Sequence, residues 1–395
     1  MILSDFVNGI EESVTLAAAA KAKELKAAGH DVLILTVGEP DFPTPTNINT
    51  AAKKAIDTGK TSFYTPASGL PELKKAVNKY FEDFYGYSVS PKEVIVTSGA
   101  KFAIYAFFMS VLNKGDEVII PTPYWVSYSD QVKMASGVPV FVEGRQENDF
   151  KVTLEQVEAA RTDKTKVLLI NSPSNPSGMI YTEEELRELG NWAVEHNILI
   201  LSDDIYHRLV YNGSKTTMIS TISDEIRKQT IVINGLSKSY SMTGWRIGFA
   251  TGNPEIIAAM AKIASQTTSN PTAVAQYAAI EAINGDQSVV DAMRGRFEER
   301  LNTIYPILNE IPGIEVVKPQ GAFYLFPNVK GAMEMTGYDN VTDFTDALLE
   351  KEGVALVTGD GFGAPENVRL SYATDMYTIL EALDRIKRFI ENNTK

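Results

Sequence analysis

The fold is decided by the stretch TIVINGLSKSYSMTGWRIGFA at residues 230–250, which places a polar loop between two short apolar runs. Runs of this kind, too apolar to have a face in water, are typical of strands buried inside a parallel sheet. Helical patterns separate most of the five further runs, which are EVIVT (93–97), EVII (117–120), VPVFV (138–142), KVLLI (166–170) and ILIL (198–201). This alternation predicts an α/β protein with a mainly parallel, seven-stranded sheet flanked by helices.

The chain beyond the sheet region predicts long helices and then a smaller α+β unit. Helical patterns run from about residue 254 to residue 284, opening at Asn253-Pro254, and again from residue 287 to residue 310. After residue 313 come four apolar runs that predict strands and one amphipathic helix, in the order IEVV, AFYLF, VALV, NVRLSYA and DMYTILEALDRIKRFIENN.

The first forty residues contain too little structure to fold alone. They predict one helix, at about 14–28 and ended by Gly29, and one strand, VLILTV. One helix and one strand cannot enclose a core, so we expect this segment to pack against the C-terminal unit. The predicted organisation is a large domain at 48–290 and a small domain that combines 1–47 with 291–395.

Charge and composition exclude several classes of function. Lys and Arg number 37 against 50 Asp and Glu, which gives a net charge of −13. This charge repels polyphosphate and anionic lipid, so we expect neither a nucleic-acid partner nor a membrane partner. The chain has no cysteine and three histidines without HExxH spacing. We therefore expect no disulfide and no metal site, and a cytoplasmic location is the default. The acidic N-terminus and the lack of long apolar runs predict neither a signal peptide nor a membrane span.

Three predicted strands end in polar segments that could carry chemistry. They are NSPSNPSG (171–178), SDDIY (202–206) and NGLSKSYSMTGWR (234–246). Because ligands of parallel sheets bind beyond the carboxyl ends of the strands, these segments would share one crevice. Taken singly, Asn175 could hold a turn, Asp203 could cap a helix and Lys238 could be a solvated surface lysine.

The combination of these groups favours chemistry over structure. An amine beside a buried carboxylate suits the formation of a Schiff base by Lys238, while Arg246, eight residues further on, binds a nearby anion. Asp203 would then form a salt bridge with a protonated pyridine nitrogen.

These motifs carry a resemblance to a known family. Together with YTPASGLPELK (64–74) and NVRLSYA (367–373), they resemble the class I, fold-type I pyridoxal-phosphate aminotransferases, and most of all the bacterial aspartate aminotransferases of the gamma subgroup. The resemblance covers essentially the whole chain, with five motifs in the same order. One departure is Asp204, where the family usually has glutamate.

The resemblance implies a role for each group near the cofactor ring. Lys238 would hold pyridoxal 5'-phosphate as a Schiff base and move the proton between the substrate Cα and the cofactor C4′. Asp203 would keep the ring nitrogen protonated. Tyr206 and Asn175 would donate hydrogen bonds to the phenolate oxygen of the ring.

The sequence TSGAK (97–101) follows a strand and opens a helix, so its amides could bind the cofactor phosphate. The three amides concerned are those of Gly99, Ala100 and Lys101. By the resemblance, Ser237 and Arg246 would complete the phosphate site, and Tyr64 would reach it from the neighbouring subunit. The resemblance therefore implies a homodimer with shared active sites.

One aromatic residue of TPYWVSY (122–128) would stack on the cofactor ring. The resemblance favours Trp125, and its neighbour Tyr124 is the competing candidate. Ordinary core packing remains an alternative for both residues.

Substrate binding is assigned in the same way. Arg369 would clamp the substrate α-carboxylate, and Gly38 would let the backbone approach it, with Trp125 and Asn175 also in contact. For a distal carboxylate the candidates are Lys101, Ser13 and Thr15, although Ser13 or Thr15 could equally be a helix N-cap.

The resulting hypothesis is an aminotransferase that exchanges an amino group between L-aspartate and 2-oxoglutarate with ping-pong kinetics. A second hypothesis keeps the cofactor but changes the specificity to that of an aromatic, prephenate or N-acetyl-diaminopimelate aminotransferase. A third is a pyridoxal-phosphate-binding regulator without catalysis. Such regulators carry a basic DNA-binding domain, and the acidic composition argues against one.

Overall fold

The computed structural model describes residues 3–10 and 14–395 of the chain. Its α-helices, numbered in chain order, are α1 (Asp5–Asn8), α2 (Val14–Ala27), α3 (Thr46–Asp57), α4 (Pro71–Tyr85), α5 (Ala100–Val111), α6 (Ser127–Met134), α7 (Leu154–Ala160), α8 (Glu183–Glu195), α9 (Asp224–Gln229), α10 (Pro254–Thr267), α11 (Ala273–Asn284), α12 (Ser288–Asn309), α13 (Lys330–Thr336), α14 (Val341–Glu352) and α15 (Met376–Asn393).

The strands fall into one large sheet and two small ones. They are β1 (Leu33–Ile34), β2 (Val94–Thr97), β3 (Glu117–Thr122), β4 (Val138–Glu143), β5 (Thr165–Asn171), β6 (Leu199–Asp203), β7 (Thr230–Gly235), β8 (Gly248–Thr251), β9 (Tyr324–Leu325), β10 (Val354–Ala355), β11 (Val357–Thr358) and β12 (Val368–Ser371).

The large sheet contains the seven predicted strands in the order β2-β8-β7-β6-β5-β3-β4. All its neighbouring pairs are parallel except those of β8, which runs antiparallel to both β2 and β7. The predicted seven-stranded, mainly parallel sheet is confirmed. Strands β2 and β7 are buried along their whole length. The prediction of a buried strand is wrong for β4, which lies at the edge of the sheet and leaves Val138 and Phe141 45% and 48% exposed.

Local sequence explains where several helices begin. Thr182 accepts a hydrogen bond from the Glu185 amide, and the Glu185 carboxylate accepts one from the Thr182 amide, which starts α8 with a capping box. Asn253 is the N-cap of α10, and its side chain accepts hydrogen bonds from the amides of Glu255 and Ile256. Pro254 follows as the first residue of the helix.

Two elements differ from the sequence prediction. The helix predicted at 254–284 is two helices, because Pro271 cannot donate a backbone hydrogen bond and Ser269 has a left-handed φ of 61°. The run IEVV (314–317) does not form a strand and contributes only an isolated bridge between Glu315 and Asn328. Short apolar runs do not by themselves show whether a pairing partner lies alongside.

The N-terminal segment packs against the C-terminal unit, as predicted. β1 pairs in parallel with β10, and β12 lies between β11 and β9 in an antiparallel sheet. The Leu35 amide donates to the Ala355 carbonyl at 3.1 Å, and the Ser371 amide donates to the Leu35 carbonyl at 2.9 Å. The predicted strand VLILTV is reduced to the two residues of β1 because these contacts use only its centre.

One hydrophobic core connects this unit with the large sheet. It contains Leu35, residues of α12 and α15, and four side chains that follow β6, namely Ile205, Tyr206, Leu209 and Tyr211. The crevice at the carboxyl end of β6 therefore has walls from both units. No helix among the described residues is long and apolar enough to cross a membrane.

A glycine of β8 fixes the distance between the sheet and the start of α5. A Cβ atom on Gly248 would lie 2.3 Å from the Ala100 amide nitrogen and 2.5 Å from the Gly99 carbonyl carbon. A Cβ atom on Gly244, in the preceding loop, would meet no atom within 4 Å. Backbone atoms cannot move aside as flexible side chains do, so Gly248 has to remain glycine.

We expect Gly248→Ala to lower the free energy of unfolding by about 3 kcal/mol, the upper range for overpacking. Gly244→Ala is the matched control, with an expected change below about 1 kcal/mol. Urea unfolding followed by circular dichroism measures both. Equal stabilities of the two variants would contradict the packing argument.

Candidate active site

A cavity of about 390 Å³ lies at the carboxyl ends of β5, β6 and β7. Most of the predicted site residues line it, namely Gly38, Ala100, Lys101, Trp125, Asn175, Asp203, Tyr206, Ser237, Lys238, Arg246 and Arg369. They come from both units of the fold. The structure therefore brings together groups that are separated by more than 300 positions in the sequence.

Lys238 follows β7, and its side chain enters the cavity. Its Nζ donates to the Gly38 carbonyl at 2.5 Å and lies 6.0 Å from the centroid of the Tyr206 ring. Desolvation lowers the pKa of Lys238 to about 8, and the positive charge of Arg369 acts in the same direction. A lysine with a lowered pKa is available as a neutral amine near physiological pH, which a nucleophile requires.

Asp203 ends β6 and is 3% exposed. Its Oδ2 accepts a hydrogen bond from the Tyr128 hydroxyl at 2.6 Å, and its Oδ1 accepts one from the Ile205 amide at 3.2 Å. Burial raises the pKa of Asp203 to about 6, while the two hydrogen bonds and Lys238 act in the opposite direction. This carboxylate is placed to pair with a cationic group in the cavity.

Asp204 uses different partners. Its two oxygens accept hydrogen bonds from the hydroxyl groups of Ser202 at 2.6 Å and Tyr85 at 2.8 Å. Burial raises the pKa of Asp204 to about 7, and the negative charge of Asp203 adds to this increase. Asp203 lines the cavity and Asp204 does not, so Asp203 is the carboxylate that can reach a ligand.

Arg369 lies on β12 and is 2% exposed. Its guanidinium donates to the Asn175 Oδ1 at 3.0 Å and to the Thr36 carbonyl at 2.9 Å, and it lies 4.5 Å from the centroid of the Tyr324 ring. Its Nε is buried without a hydrogen-bond partner among the described residues. A buried guanidinium held by neutral acceptors is suited to bind a carboxylate in two-point fashion.

Asn175 is held by the neighbouring segment. Its amide nitrogen donates to the Asn171 Oδ1 at 2.9 Å, and the Asn171 Nδ2 donates to the Asp203 carbonyl at 2.8 Å. Because the Asn175 side-chain oxygen accepts from Arg369, its NH2 group is the end that can donate to a phenolate.

Tyr206 and Gly38 both lie next to the Tyr324 hydroxyl group. The hydroxyl groups of Tyr206 and Tyr324 lie 2.9 Å apart, and a Cβ atom on Gly38 would lie 2.9 Å from the same Tyr324 oxygen. Glycine at position 38 therefore keeps the backbone close to this hydroxyl pair.

The predicted phosphate-binding segment lies at the start of α5. Ala100 and Lys101 begin α5 and line the cavity, so their amides have no intrahelical partners and can bind an anion. The Gly99 amide, in contrast, donates to the Thr97 carbonyl at 2.8 Å. Gly99 also leaves space for the Arg246 side chain, since a Cβ atom at position 99 would lie 2.3 Å from the Arg246 Nη2. Its φ of 88° is a further reason for glycine at this position.

The geometry separates the two aromatic candidates. Trp125 lines the cavity, lies edge-on to Tyr128 at 5.2 Å and is covered by the Lys101 Nζ, 4.9 Å from its ring centroid. Tyr124 stacks on Phe141 at 5.0 Å, outside this cavity. Of the two, Trp125 is the one placed to contact a ring bound beside Lys238.

Three further candidates remain, namely Tyr64, Ser13 and Thr15. Tyr64 is 93% exposed and does not line it. Ser13 lies outside the described residues. Thr15 does line the cavity, together with Leu16, Ala19 and Lys23 of α2.

Sequence reasoning missed several cavity residues, namely Thr36, Glu39, Tyr128, Asn171 and Tyr324. Asn171 is the first residue of the quoted segment NSPSNPSG and could have been included. Tyr128 closes the motif TPYWVSY, but only the fold shows that its hydroxyl reaches Asp203. Tyr324 has no signal in the sequence, since buried tyrosines usually serve as core residues.

A buried amine, a carboxylate and an anion-binding helix start define the class of site that holds pyridoxal phosphate. The family model described as aminotransferase class I and II matches residues 30–386. The chain is 67% identical to an asparagine–oxo-acid transaminase of Streptococcus mutans, over 98% of this chain and 99% of the relative. It is 55% identical to an aspartate aminotransferase of Bacillus subtilis, over the full length of both chains.

A solved structure agrees with these relatives. The aspartate aminotransferase of Thermus thermophilus with maleate superimposes with a TM-score of 0.93 and 40% identity, covering 98% of this chain and 99% of that one. The protein therefore belongs to the class I and II aminotransferase family, and it is an enzyme that uses pyridoxal 5'-phosphate.

The lowered pKa of Lys238 can be tested on the cofactor-free protein. We expect acylation of Lys238 to increase with pH around a midpoint near 8, because the amine reacts only when it is neutral. A solvated lysine has its midpoint near about 10.4. Brief labelling across a pH series, followed by peptide mapping, gives the midpoint. A value above 10 would contradict the desolvated environment described here.

Proposed function

We propose that the enzyme transfers the amino group of L-aspartate to 2-oxoglutarate, giving oxaloacetate and L-glutamate in a ping-pong reaction. The observation that carries this proposal is that the cavity is lined by cations besides Lys238 and the Arg246 assigned to the phosphate. The Arg369 guanidinium is buried, and the Lys101 ammonium lies over Trp125. A second cation besides Arg369 suits a substrate with two carboxylates.

The residues around the cofactor divide the work of the reaction. When bound, pyridoxal phosphate supplies an aldehyde and an electron-withdrawing ring. Lys238 holds the cofactor and moves the proton at the substrate Cα. Asp203 keeps a proton on the ring nitrogen, and Asn175 and Tyr206 donate hydrogen bonds to the phenolate oxygen.

The phosphate is bound by the start of α5 together with residues of the loop after β7. The amides of Ala100 and Lys101 point to it, and Ser237 and Arg246 complete the site. Gly99 contributes to this site because the absence of a side chain lets the Arg246 guanidinium approach the backbone.

We also propose that the enzyme is a homodimer in which Tyr64 contacts the cofactor phosphate of the partner subunit. Tyr64 and Phe63 are 93% and 79% exposed, which is unusual for adjacent aromatic residues. An interface between two copies would bury them. The cytoplasmic location stays a prediction.

The two units of the fold would act as domains that close on the substrate. Arg369, Gly38 and Thr15 belong to the small domain proposed at 1–47 and 291–395, whereas Lys238 and Asp203 belong to the large domain at 48–290. A substrate that bridges them would draw the domains together and exclude water.

A second candidate donor is asparagine, which the relative with 67% identity favours by its name. Asparagine offers the same α-carboxylate to Arg369 but a neutral amide to Lys101. The maleate in the Thermus structure is a dicarboxylate, and it favours aspartate. Charge at Lys101 is the feature that discriminates between the two donors.

A donor panel tests this proposal. We expect L-aspartate and L-glutamate to convert the bound cofactor to its amino form with higher kcat/KM than asparagine or phenylalanine, because of these four donors only they carry carboxylates for both Arg369 and Lys101. Single half-reactions followed by the absorbance of the cofactor give each value. A preference for asparagine would replace the aspartate proposal with the second candidate.

The two cations should differ in their effect on specificity. Arg369→Ala should lower kcat/KM for aspartate and phenylalanine alike. The loss should correspond to about 2–5 kcal/mol of activation free energy, the cost of removing one partner of a desolvated charge pair. Lys101→Ala should impair aspartate far more than phenylalanine or asparagine. Equal losses for all donors in Lys101→Ala would show that Lys101 only contributes its amide to the phosphate.

A further inference from the structure

Asp203 has a buried side-chain partner that the reaction described above does not use. The Tyr128 hydroxyl, on the first turn of α6, donates to the Asp203 Oδ2 at 2.6 Å, and the Tyr128 side chain is 1% exposed. Both residues line the cavity. The other carboxylate oxygen accepts from the Ile205 amide. These two bonds determine the plane in which the carboxylate lies.

Tyr128 is itself held in one orientation. The Trp125 ring packs edge-on against it at 5.2 Å, with an angle of 86° between the planes. The Gln131 Nε2, one turn further along α6, donates to the Lys101 carbonyl at 3.0 Å and ties α6 to α5. Burial and the nearby Asp203 charge raise the pKa of Tyr128 well above its ordinary value. Its hydroxyl therefore keeps its proton and remains a donor.

We propose that Tyr128 is a positioning residue that keeps the Asp203 carboxylate ionised and directed at the ring nitrogen of the cofactor. The inference rests on the role proposed above for Asp203. Tyr128 would act through Asp203 and not on the substrate.

The charges around Asp203 explain why one hydroxyl matters. Burial opposes the ionised form of Asp203, whereas Lys238 stabilises it. The Asp203 charge in turn raises the pKa of Asp204 and contributes to the raised pKa of Tyr206. The pKa of Asp203 is already raised to about 6 with Tyr128 in place. Removal of the hydroxyl would raise it further, towards neutral pH.

A more basic carboxylate takes a larger share of the proton that it shares with the ring nitrogen. The ring then carries less positive charge and withdraws electrons less strongly from the substrate Cα. The loss should appear in kcat and not in KM, because Tyr128 contacts Asp203 and leaves the substrate cations in place.

The test uses the enzyme loaded with cofactor that carries ¹⁵N in its ring. In Tyr128→Phe we expect kcat to fall about tenfold or more, the effect of one hydrogen bond to a charged group, for aspartate and phenylalanine alike. The ¹⁵N resonance should move towards that of an unprotonated pyridine. Unchanged kcat, or a lower kcat with an unmoved ¹⁵N resonance, would overturn the proposal.

Tyr211→Phe is the matched control. Tyr211 is also a buried tyrosine, and its hydroxyl donates to the Ala322 carbonyl, which keeps a second donor in the Tyr372 hydroxyl. Both kcat and the ¹⁵N resonance should stay as in the parent enzyme. A shift of the same size in this control would show that loss of any buried hydroxyl produces the effect, which would also overturn the proposal.

A second variant keeps the test decisive if Tyr128→Phe does not fold. Incorporation of 3-fluorotyrosine at position 128 keeps the size of the ring nearly unchanged and makes the hydroxyl a stronger donor. The ¹⁵N resonance should then move in the opposite direction, towards the protonated ring. An unmoved resonance in this variant would overturn the proposal.

Asp203→Asn separates this inference from the proposed role of Asp203. A turnover near that of the parent enzyme in Asp203→Asn would remove the role of Asp203 itself, and the Tyr128 inference with it. A severe loss in Asp203→Asn together with normal turnover in Tyr128→Phe would overturn the Tyr128 inference alone. Neither result depends on which amino donor the enzyme prefers.

Discussion

The buried guanidinium of Arg369 is the constraint on which the site depends. Among the described residues it is held by the Asn175 side chain and the Thr36 carbonyl, both of them neutral acceptors. A buried charge without a counter-ion is costly, and a carboxylate that enters the cavity removes this cost. The same charge lowers the pKa of Lys238, so the substrate-binding group and the reactive amine are electrostatically coupled.

This coupling gives substrate binding a chemical consequence. When a carboxylate neutralises Arg369, the repulsion that helps to keep Lys238 neutral becomes weaker, and the amine becomes a better proton acceptor. Lys238 and the Tyr128 hydroxyl favour the charged form of Asp203. Lys238 in turn is influenced by the charges of Arg369, Glu39, Arg246 and Asp203, so its protonation state depends on the whole site.

Part of this arrangement could be predicted from short segments of the sequence. Asp203 and Lys238 lie in the polar segments that follow two apolar runs, and the carboxyl ends of parallel strands meet at one edge of a sheet. The sequence could not show which of Trp125 and Tyr124 faces the cavity. The directions of two adjacent side chains depend on the backbone conformation, which the sequence motif does not give. The bond from the Gly99 amide to the Thr97 carbonyl was also not visible in the sequence, since it depends on the φ of the glycine.

The sequence by itself determined the seven strands of the large sheet, the cofactor-binding motifs and the family, because these depend on local periodicity and on short segments with fixed spacing. Only the tertiary structure decided that helix 254–284 is broken, that Tyr128 reaches Asp203 and that Arg369 lies beside Asn175. Contacts between segments 75 and 194 positions apart depend on how helices and sheets pack. Periodicity along the chain does not predict that packing, so these contacts could be identified only from the tertiary structure.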